Sequence, residues 1–175
     1  MMFHQRDDTL VTDTIAYGFR CNTHGNGEIY NRDSKMLWRF KTHHQNKFQA
    51  FSGFFFLLLP DFVFFDASEK ELLTIKCERS YPFTRFVMFE NDSPICTIQQ
   101  TSIFQNKYII EFDGGYKWRF HLPMFTAFYK GISAAGAELH VRVQTHHTWY
   151  VQIPCNLDDF RLVAALALIH RERQR

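Results

Sequence analysis

The segment LDDFRLVAALALI, residues 157–169, decides the fold, because it predicts a helix that has no polar side. All eight residues from Leu162 to Ile169 are apolar. At about 3.6 residues per turn they pass more than twice round the helix axis, and a helix that is apolar all round must be enclosed by protein or lipid. A membrane span needs about 20 apolar residues, and charged HRERQR follows directly. The sequence therefore predicts a helix buried inside the protein.

The residues around this helix fit a buried element with polar ends. Asn156 or Asp158 is expected to cap its N-terminus, and Asp159 is favourable in its first turn. Arg171 and Arg173 suit its C-terminal end. The side chains expected to form its core contacts are Phe160, Leu162, Val163, Leu166 and Ile169.

Five earlier segments repeat one pattern, in which an apolar run, a short polar turn and an alternating run follow one another. Each predicts a β-hairpin. The segments are GEIYNRDSKMLWRF (27–40), FVFFDASEKELLTIKCE (62–78), FVMFENDSPICTIQQ (86–100), YIIEFDGGYKWRFHL (108–122) and FYKGISAAGAELHVRVQ (128–144). A strand near Tyr17 and another at TWYVQI (148–153) bring the count to about twelve.

Alternation in the second strand of each hairpin assigns its two faces. In YKWRFHL the side chains of Tyr116, Trp118, Phe120 and Leu122 are expected to point to the core, opposite three basic residues. Closing the sheet removes its exposed edges, and a barrel of about twelve strands leaves an interior that must be filled. The predicted fold is mainly β, a closed antiparallel barrel around the buried C-terminal helix. We expect one domain over residues 1–175, with residues 1–14 as a loose N-terminal segment.

The most hydrophobic stretch, residues 50–65, allows two interpretations. Pro60 and Asp61 interrupt it, which disfavours a membrane span. It can form two buried strands joined at residues 59–61, or a partly exposed aromatic loop that dips into a bilayer surface.

Composition narrows the classes of function. The formal charge is +2, whereas a nucleic-acid-binding protein is usually more basic, so no nucleic-acid partner is predicted. The four cysteines contain no C-x-x-C pair, the histidine doublets 43–44 and 146–147 offer one ligand per face, and no nucleotide-binding or nucleophile motif appears. We therefore expect no catalytic residue, no metal and no cofactor. The polar N-terminus is unlike a signal peptide, which favours a cytoplasmic protein.

Tandem hairpins followed by a C-terminal apolar helix resemble the tubby C-terminal-like superfamily, which includes Tubby proteins, phospholipid scramblases and the LURP-one-related family. Residues 62–78 are similar to the family's "apolar, D-A-x-G, x-L-L-x-I-x-R" hairpin, although the family's glycine is replaced in this turn, which runs Asp66-Ala67-Ser68-Glu69-Lys70. Residues 157–169 are similar to its "D-x-x-x-L-x-A-L" core helix. The proline-rich arm, cysteine cluster and acidic calcium-binding segment of scramblases are absent from this sequence. The LURP-one-related branch therefore fits best, both by size and by its lack of these features.

The resemblance implies a non-enzymatic binding module or scaffold. Basic residues on the outward faces of successive second strands are the candidate ligand-binding residues. We expect them to bind anionic phospholipid head groups at a membrane surface, which would make the protein peripheral to a membrane. The candidates are Arg39, Lys76, Lys117, Arg119 and Arg142, with Lys41 beside them and a second patch at His170, Arg171, Arg173 and Arg175. The alternatives are a solvated face on a protein–protein interaction scaffold without lipid dependence and, last, scramblase-like activity or carriage of a small ligand.

Overall fold

Twelve strands precede the C-terminal helix in the computed structural model, which describes residues 14–22, 26–43, 60–79, 83–102, 107–122, 128–145, 148–157 and 159–172. The strands are β1 (Thr14–Cys21), β2 (Gly27–Asn31), β3 (Met36–His43), β4 (Asp61–Asp66), β5 (Glu71–Arg79), β6 (Arg85–Glu90), β7 (Ser93–Ser102), β8 (Lys107–Phe112), β9 (Lys117–His121), β10 (Phe128–Ser133), β11 (Glu138–Thr145) and β12 (Thr148–Pro154). A 3₁₀ turn (Cys155–Leu157) and helix α1 (Phe160–Glu172) follow.

The strands form a closed antiparallel barrel in which each strand pairs with the next along the chain. Closure occurs between the first and last strands, β1 and β12, from Thr14 opposite Pro154 to Arg20 opposite Thr148. The five predicted hairpins are β2–β3, β4–β5, β6–β7, β8–β9 and β10–β11. The predicted barrel is therefore confirmed, and no strand of the described ring has an open edge.

Helix α1 lies inside this barrel. All residues from Leu162 to His170 are buried, and so are inward side chains of the surrounding strands such as Phe19, Phe62 and Ile110. Ala164, Ala165 and Ala167 keep this part of the helix narrow. Four of the five predicted core residues, Leu162, Val163, Leu166 and Ile169, are fully enclosed, and Phe160 is half-buried against the same core.

The helix begins later than the sequence suggested, at Phe160, because Asp159 provides the N-cap. Asp159 Oδ1 accepts a hydrogen bond from Arg161 N at 2.9 Å, and the Asp159 carbonyl accepts one from Val163 N at 3.1 Å. Placing Asp159 in the first turn was thus wrong. Asn156 is exposed in the 3₁₀ turn that precedes the cap, and Asp158 lies outside the described residues.

Aromatic rings and one ion pair fix α1 at its two ends. At the N-terminal end, the Phe160 ring lies 4.7 Å from that of Trp38, and Arg161 pairs with Glu90 of β6 at 2.7 Å. At the C-terminal end, the Trp149 ring meets the His170 ring edge-on at 4.4 Å. His170 is fully buried, so the expected surface patch at the tail is wrong for this residue, while residues 173–175 lie outside the described ranges.

Four of the hairpin turns share one hydrogen-bonding pattern, in which a strand-end residue bonds to the residues three and four positions later. The strand-end residues are Asn31, Asp66, Phe112 and Ser133. Three of these strand ends supply a side-chain oxygen that accepts a further hydrogen bond from the turn backbone. The position three residues on is left-handed in each turn, and glycine occupies it in two of them.

Two details of the sequence interpretation change. Tyr116 does not point into the core as predicted, because it lies in the β8–β9 turn and is 37% exposed. Within the hydrophobic stretch, residues 61–65 form part of β4 with Phe62 and Phe64 buried, as the buried-strand interpretation requires. Residues 50–59 lie outside the described residues, and so do residues 1–13, whereas Thr14 already belongs to β1.

Glycine allows two large aromatic rings to lie against the barrel wall. Gly27 pairs with Phe40 across β2 and β3, and Gly131 pairs with Phe120 across β10 and β9. A Cβ at either glycine would overlap the ring of its partner. The glycines are therefore required by packing rather than by a turn.

We predict that Leu166→Asp prevents folding of the domain. The substitution would place a carboxylate among apolar side chains without a partner, at a cost of several kcal/mol against a typical total stability of about 5–15 kcal/mol. Circular dichroism and denaturant unfolding test it, with Ala135→Asp in the exposed β10–β11 turn as the control. A folded, soluble Leu166→Asp protein would place the helix outside the barrel.

A second prediction concerns Gly131→Ala, which should lower the free energy of unfolding by about 1–3 kcal/mol because the Phe120 ring must move. The matched control is Gly18→Ala, where a Cβ would lie in ordinary contact, 3.4 Å from Tyr150 Cε1. That change should be neutral or slightly stabilising, since alanine reduces the entropy of the unfolded chain. Equal effects of the two substitutions in urea denaturation would contradict this packing role.

Candidate functional site

The five basic residues predicted as ligands lie on the outer surface but do not form one patch. Arg39 is on β3 and Lys76 on β5, whereas Lys117 and Arg119 are on β9 and Arg142 on β11. In a ring of twelve strands, β3 and β9 lie six steps apart, and so do β5 and β11. Arg39 and Lys76 therefore face away from the other three.

Arg39 is held by a local ion-pair network rather than presented to solvent. It pairs with Glu69, whose second carboxylate oxygen lies 3.6 Å from Lys41 Nζ. Glu69 has a left-handed backbone with φ 66° in the β4–β5 turn, at the position where the tubby-like pattern has glycine. The network thus offsets part of the strain at Glu69, which is a structural role for Arg39.

Lys76 also has a local partner, because its ammonium group lies 4.9 Å from the centroid of the Phe89 ring on β6. Arg20, on β1, lies 5.4 Å from the Tyr30 ring in the same way. These cation–π contacts stabilise the outer surface of the barrel by about 0.5–1 kcal/mol each where they are exposed.

A different set of basic side chains is brought together on the outward side of β8–β11, which we call the β8–β11 face. Strand register places Lys107 opposite His121, His121 opposite Lys130, and Lys130 opposite His140. All four side chains are exposed. With strands about 4.8 Å apart, they form a continuous row about 14 Å long across four strands.

The adjacent row of the same face combines one cation with apolar side chains. Arg119 lies between Ile109 of β8 and Ile132 of β10. Arg119 is exposed, and Ile132 is 46% exposed, which is high for an isoleucine. The two rows border a surface groove of about 560 Å³, which is also lined by Lys117 and Lys130.

Ion pairs neutralise only part of the face. Lys117 Nζ lies 3.1 Å from Glu111, and Lys130 pairs with Glu138. Within the part of the chain that the structure describes, Lys107 and Arg119 form no ion pair. Arg142 extends the basic surface toward β12, where its register neighbour Tyr150 is 44% exposed. Besides its two histidines, the face therefore carries five lysine and arginine side chains against two glutamates.

Two of the predicted residues, Lys117 and Arg119, thus belong to one groove, with Arg142 at its margin. Lys107, Lys130, His121 and His140 belong to the face but were not selected from the sequence. Lys107 and Lys130 lie in first strands of hairpins, whereas the sequence argument considered only second strands. Strand register was the signal needed, because it alone places Lys107 beside His121.

A second, smaller groove of about 280 Å³ lies on the outer side of β1–β3. Arg20, Arg39 and Lys41 line it together with Glu28. Glu69, which pairs with Arg39 and Lys41, adds a second negative charge at its edge. Its basic groups are therefore more nearly balanced than those of the β8–β11 face.

Two cysteine thiols are unsuited to nucleophilic chemistry. Burial raises the pKa of Cys21 to about 12, and burial, with the negative charge of Asp159, raises the pKa of Cys96 to about 12. An activated thiol has a lowered pKa instead. Cys155 is exposed and Cys77 is partly buried against the core. Among the described residues, no group of three or more His, Cys, Asp or Glu side chains is arranged to hold a metal ion.

The barrel is similar to a protein from Arabidopsis thaliana whose X-ray structure is known. The two structures align with a TM-score of 0.65 over 94% of each chain, at 15% sequence identity. At that identity the likeness concerns the fold alone. No family model and no curated protein matches the sequence. In the described part of the chain, no helix is long and apolar enough to cross a membrane.

Proposed function

We propose that this protein is a non-enzymatic binding module of the tubby-like, LURP-one-related type, which attaches to anionic phospholipid head groups at a membrane surface through the β8–β11 face. The observation that carries the proposal is the row formed by Lys107, His121, Lys130 and His140, with Arg119 beside it. On this proposal the protein works in the cytoplasm and is peripheral to the membrane.

The chemistry of the face favours a head-group ligand. Lys107 and Arg119 have donors that no ion pair of the described structure occupies. A lysine or arginine near an anionic membrane surface contributes about 1 kcal/mol to binding. Arg119 can in addition donate two parallel hydrogen bonds to one phosphate.

The apolar part of the face favours a membrane over a dissolved anion. Ile132, 46% exposed, and Ile109 flank Arg119 in one row. A basic surface that also presents apolar side chains binds at the boundary between head groups and acyl chains. There the basic groups are attracted to the anionic lipids, and the apolar side chains leave water. A dissolved anion would leave these isoleucines in water.

A protein–protein interaction scaffold is the second candidate. Tyr150 is 44% exposed beside Arg142, and exposed tyrosine next to arginine is typical of protein interfaces. Such an interface would bind its partner without lipid. Vesicle experiments therefore separate the two candidates.

Flotation with phosphatidylcholine vesicles, with and without phosphatidylserine or phosphoinositide, tests the proposal. The chain should float with anionic vesicles, and the bound fraction should fall as salt rises, because ions screen the attraction. The variant Lys107→Gln/Arg119→Gln should weaken binding by about 2 kcal/mol, or about thirtyfold. Both residues are exposed, and their substitution leaves the ion pairs of Lys117 and Lys130 intact.

The matched control is Lys35→Gln/Lys70→Gln, which removes the same charge from exposed turns on the other side of the barrel. It should retain most of the affinity. Equal losses in the two double variants would mean that net charge, not the β8–β11 face, determines binding. An absence of salt-sensitive binding to any anionic vesicle would contradict the proposal, and lipid-independent capture of a protein partner would favour the scaffold.

A further inference from the structure

Two histidines lie inside the basic row of the β8–β11 face. His121 is the register neighbour of Lys107 on one side and of Lys130 on the other. His140 is the next member of the row, opposite Lys130 on one side and Gln152 on the other. Both imidazoles are exposed, so protons and ligands reach them from solvent.

The charged groups around His121 are all basic. Lys107 faces it from β8, Lys130 faces it from β10, and Arg119 lies two residues away on the same side of β9. Glu111, the acidic residue of β8, lies opposite Lys117 at the other end of the strand pair. A proton on His121 would therefore add to an existing cationic group.

His140 has a mixed environment. Lys130 faces it from β10, Arg142 and Glu138 lie two residues away on β11, and neutral Gln152 faces it from β12. The one carboxylate among these groups, that of Glu138, is already paired with Lys130. A proton on His140 would thus extend the positive row by one strand.

We infer that the attachment described under Proposed function, on which this inference rests, is regulated by protons: acidification charges His121 and His140 and strengthens binding of the face to an anionic membrane. Histidine is the side chain whose charge changes between about pH 5 and about pH 8. The row then changes from two permanent charges to four charges in line.

Thermodynamic linkage sets the direction in which pH changes the affinity for the membrane. The protonated row binds an anionic surface more tightly than the neutral one, so lowering the pH favours the bound state, and the surface in turn favours protonation. Raising the pH removes both charges and weakens attachment without abolishing it, because Lys107, Lys130 and Arg119 keep their charge. Binding is thereby graded over the pH range that separates neutral from acidic compartments.

The test measures partition of the full chain onto phosphatidylcholine vesicles that contain phosphatidylglycerol, whose charge is constant over this range. Wild type should bind about thirtyfold more tightly near the lower end than near the upper end of the histidine range, because two more basic groups are then charged. The variant His121→Gln/His140→Gln should lose most of the enhancement, so its binding should change little between the two pH values. His43→Gln, at an exposed position on β3, is the control and should keep it.

A gain-of-function variant guards against a folding artefact. His121→Lys/His140→Lys carries both charges permanently and should bind at the higher pH as wild type binds at the lower. An enhancement that persists in the glutamine variant, or a wild type that binds equally at both pH values, would overturn the inference while leaving the proposed function standing. Failure of wild type to bind at either pH would overturn both.

Discussion

The structure depends on one constraint, the need to enclose a helix that is apolar on every side. Residues from Leu162 to Ile169 have no face that water could solvate, and the barrel encloses all of them. The barrel depends on the helix in turn, because twelve strands surround more space than their own inward side chains fill. Three alanines keep the helix narrow, and rings such as Trp38 and Trp149 close the space at its two ends.

The sequence was sufficient to predict this architecture. Two sequence patterns were enough: an unbroken apolar run predicts the buried helix, and alternation of apolar and polar residues predicts the strands. Backbone geometry sets how each pattern distributes its side chains, whatever the packing around them. The sequence therefore predicts the five hairpins, the two closing strands and the enclosed helix. The exact ends of these elements could not be predicted. The start of α1 depends on the cap at Asp159, and the orientation of Tyr116 depends on where the β8–β9 turn ends.

The surface was less predictable for a physical reason. Alternation shows that Arg39 and Arg119 point outward, but it does not show their angular positions round the barrel. That information lies in strand order and register, which place Arg39 beside Glu69 and Arg119 between two isoleucines on the opposite side. Strand order places Arg39 and Lys76 on another side of the barrel from Arg119, and register places Lys107 and Lys130 near Arg119. Interior and exterior therefore differ in what determines them: the apolar helix sets the shape of the barrel, whereas strand order and register set which side chains share its outer surface.

Native-state hydrogen exchange, followed by mass spectrometry at increasing denaturant, tests most directly whether helix and barrel are one cooperative unit. If they are, the amides of residues 162–170 exchange only by the same global opening that exposes β1 and β12, with the same free energy and the same dependence on denaturant. Exchange of the helix through a cheaper opening, while the amides of β1 and β12 stay protected, would show that the barrel stands without its filling and would contradict this account.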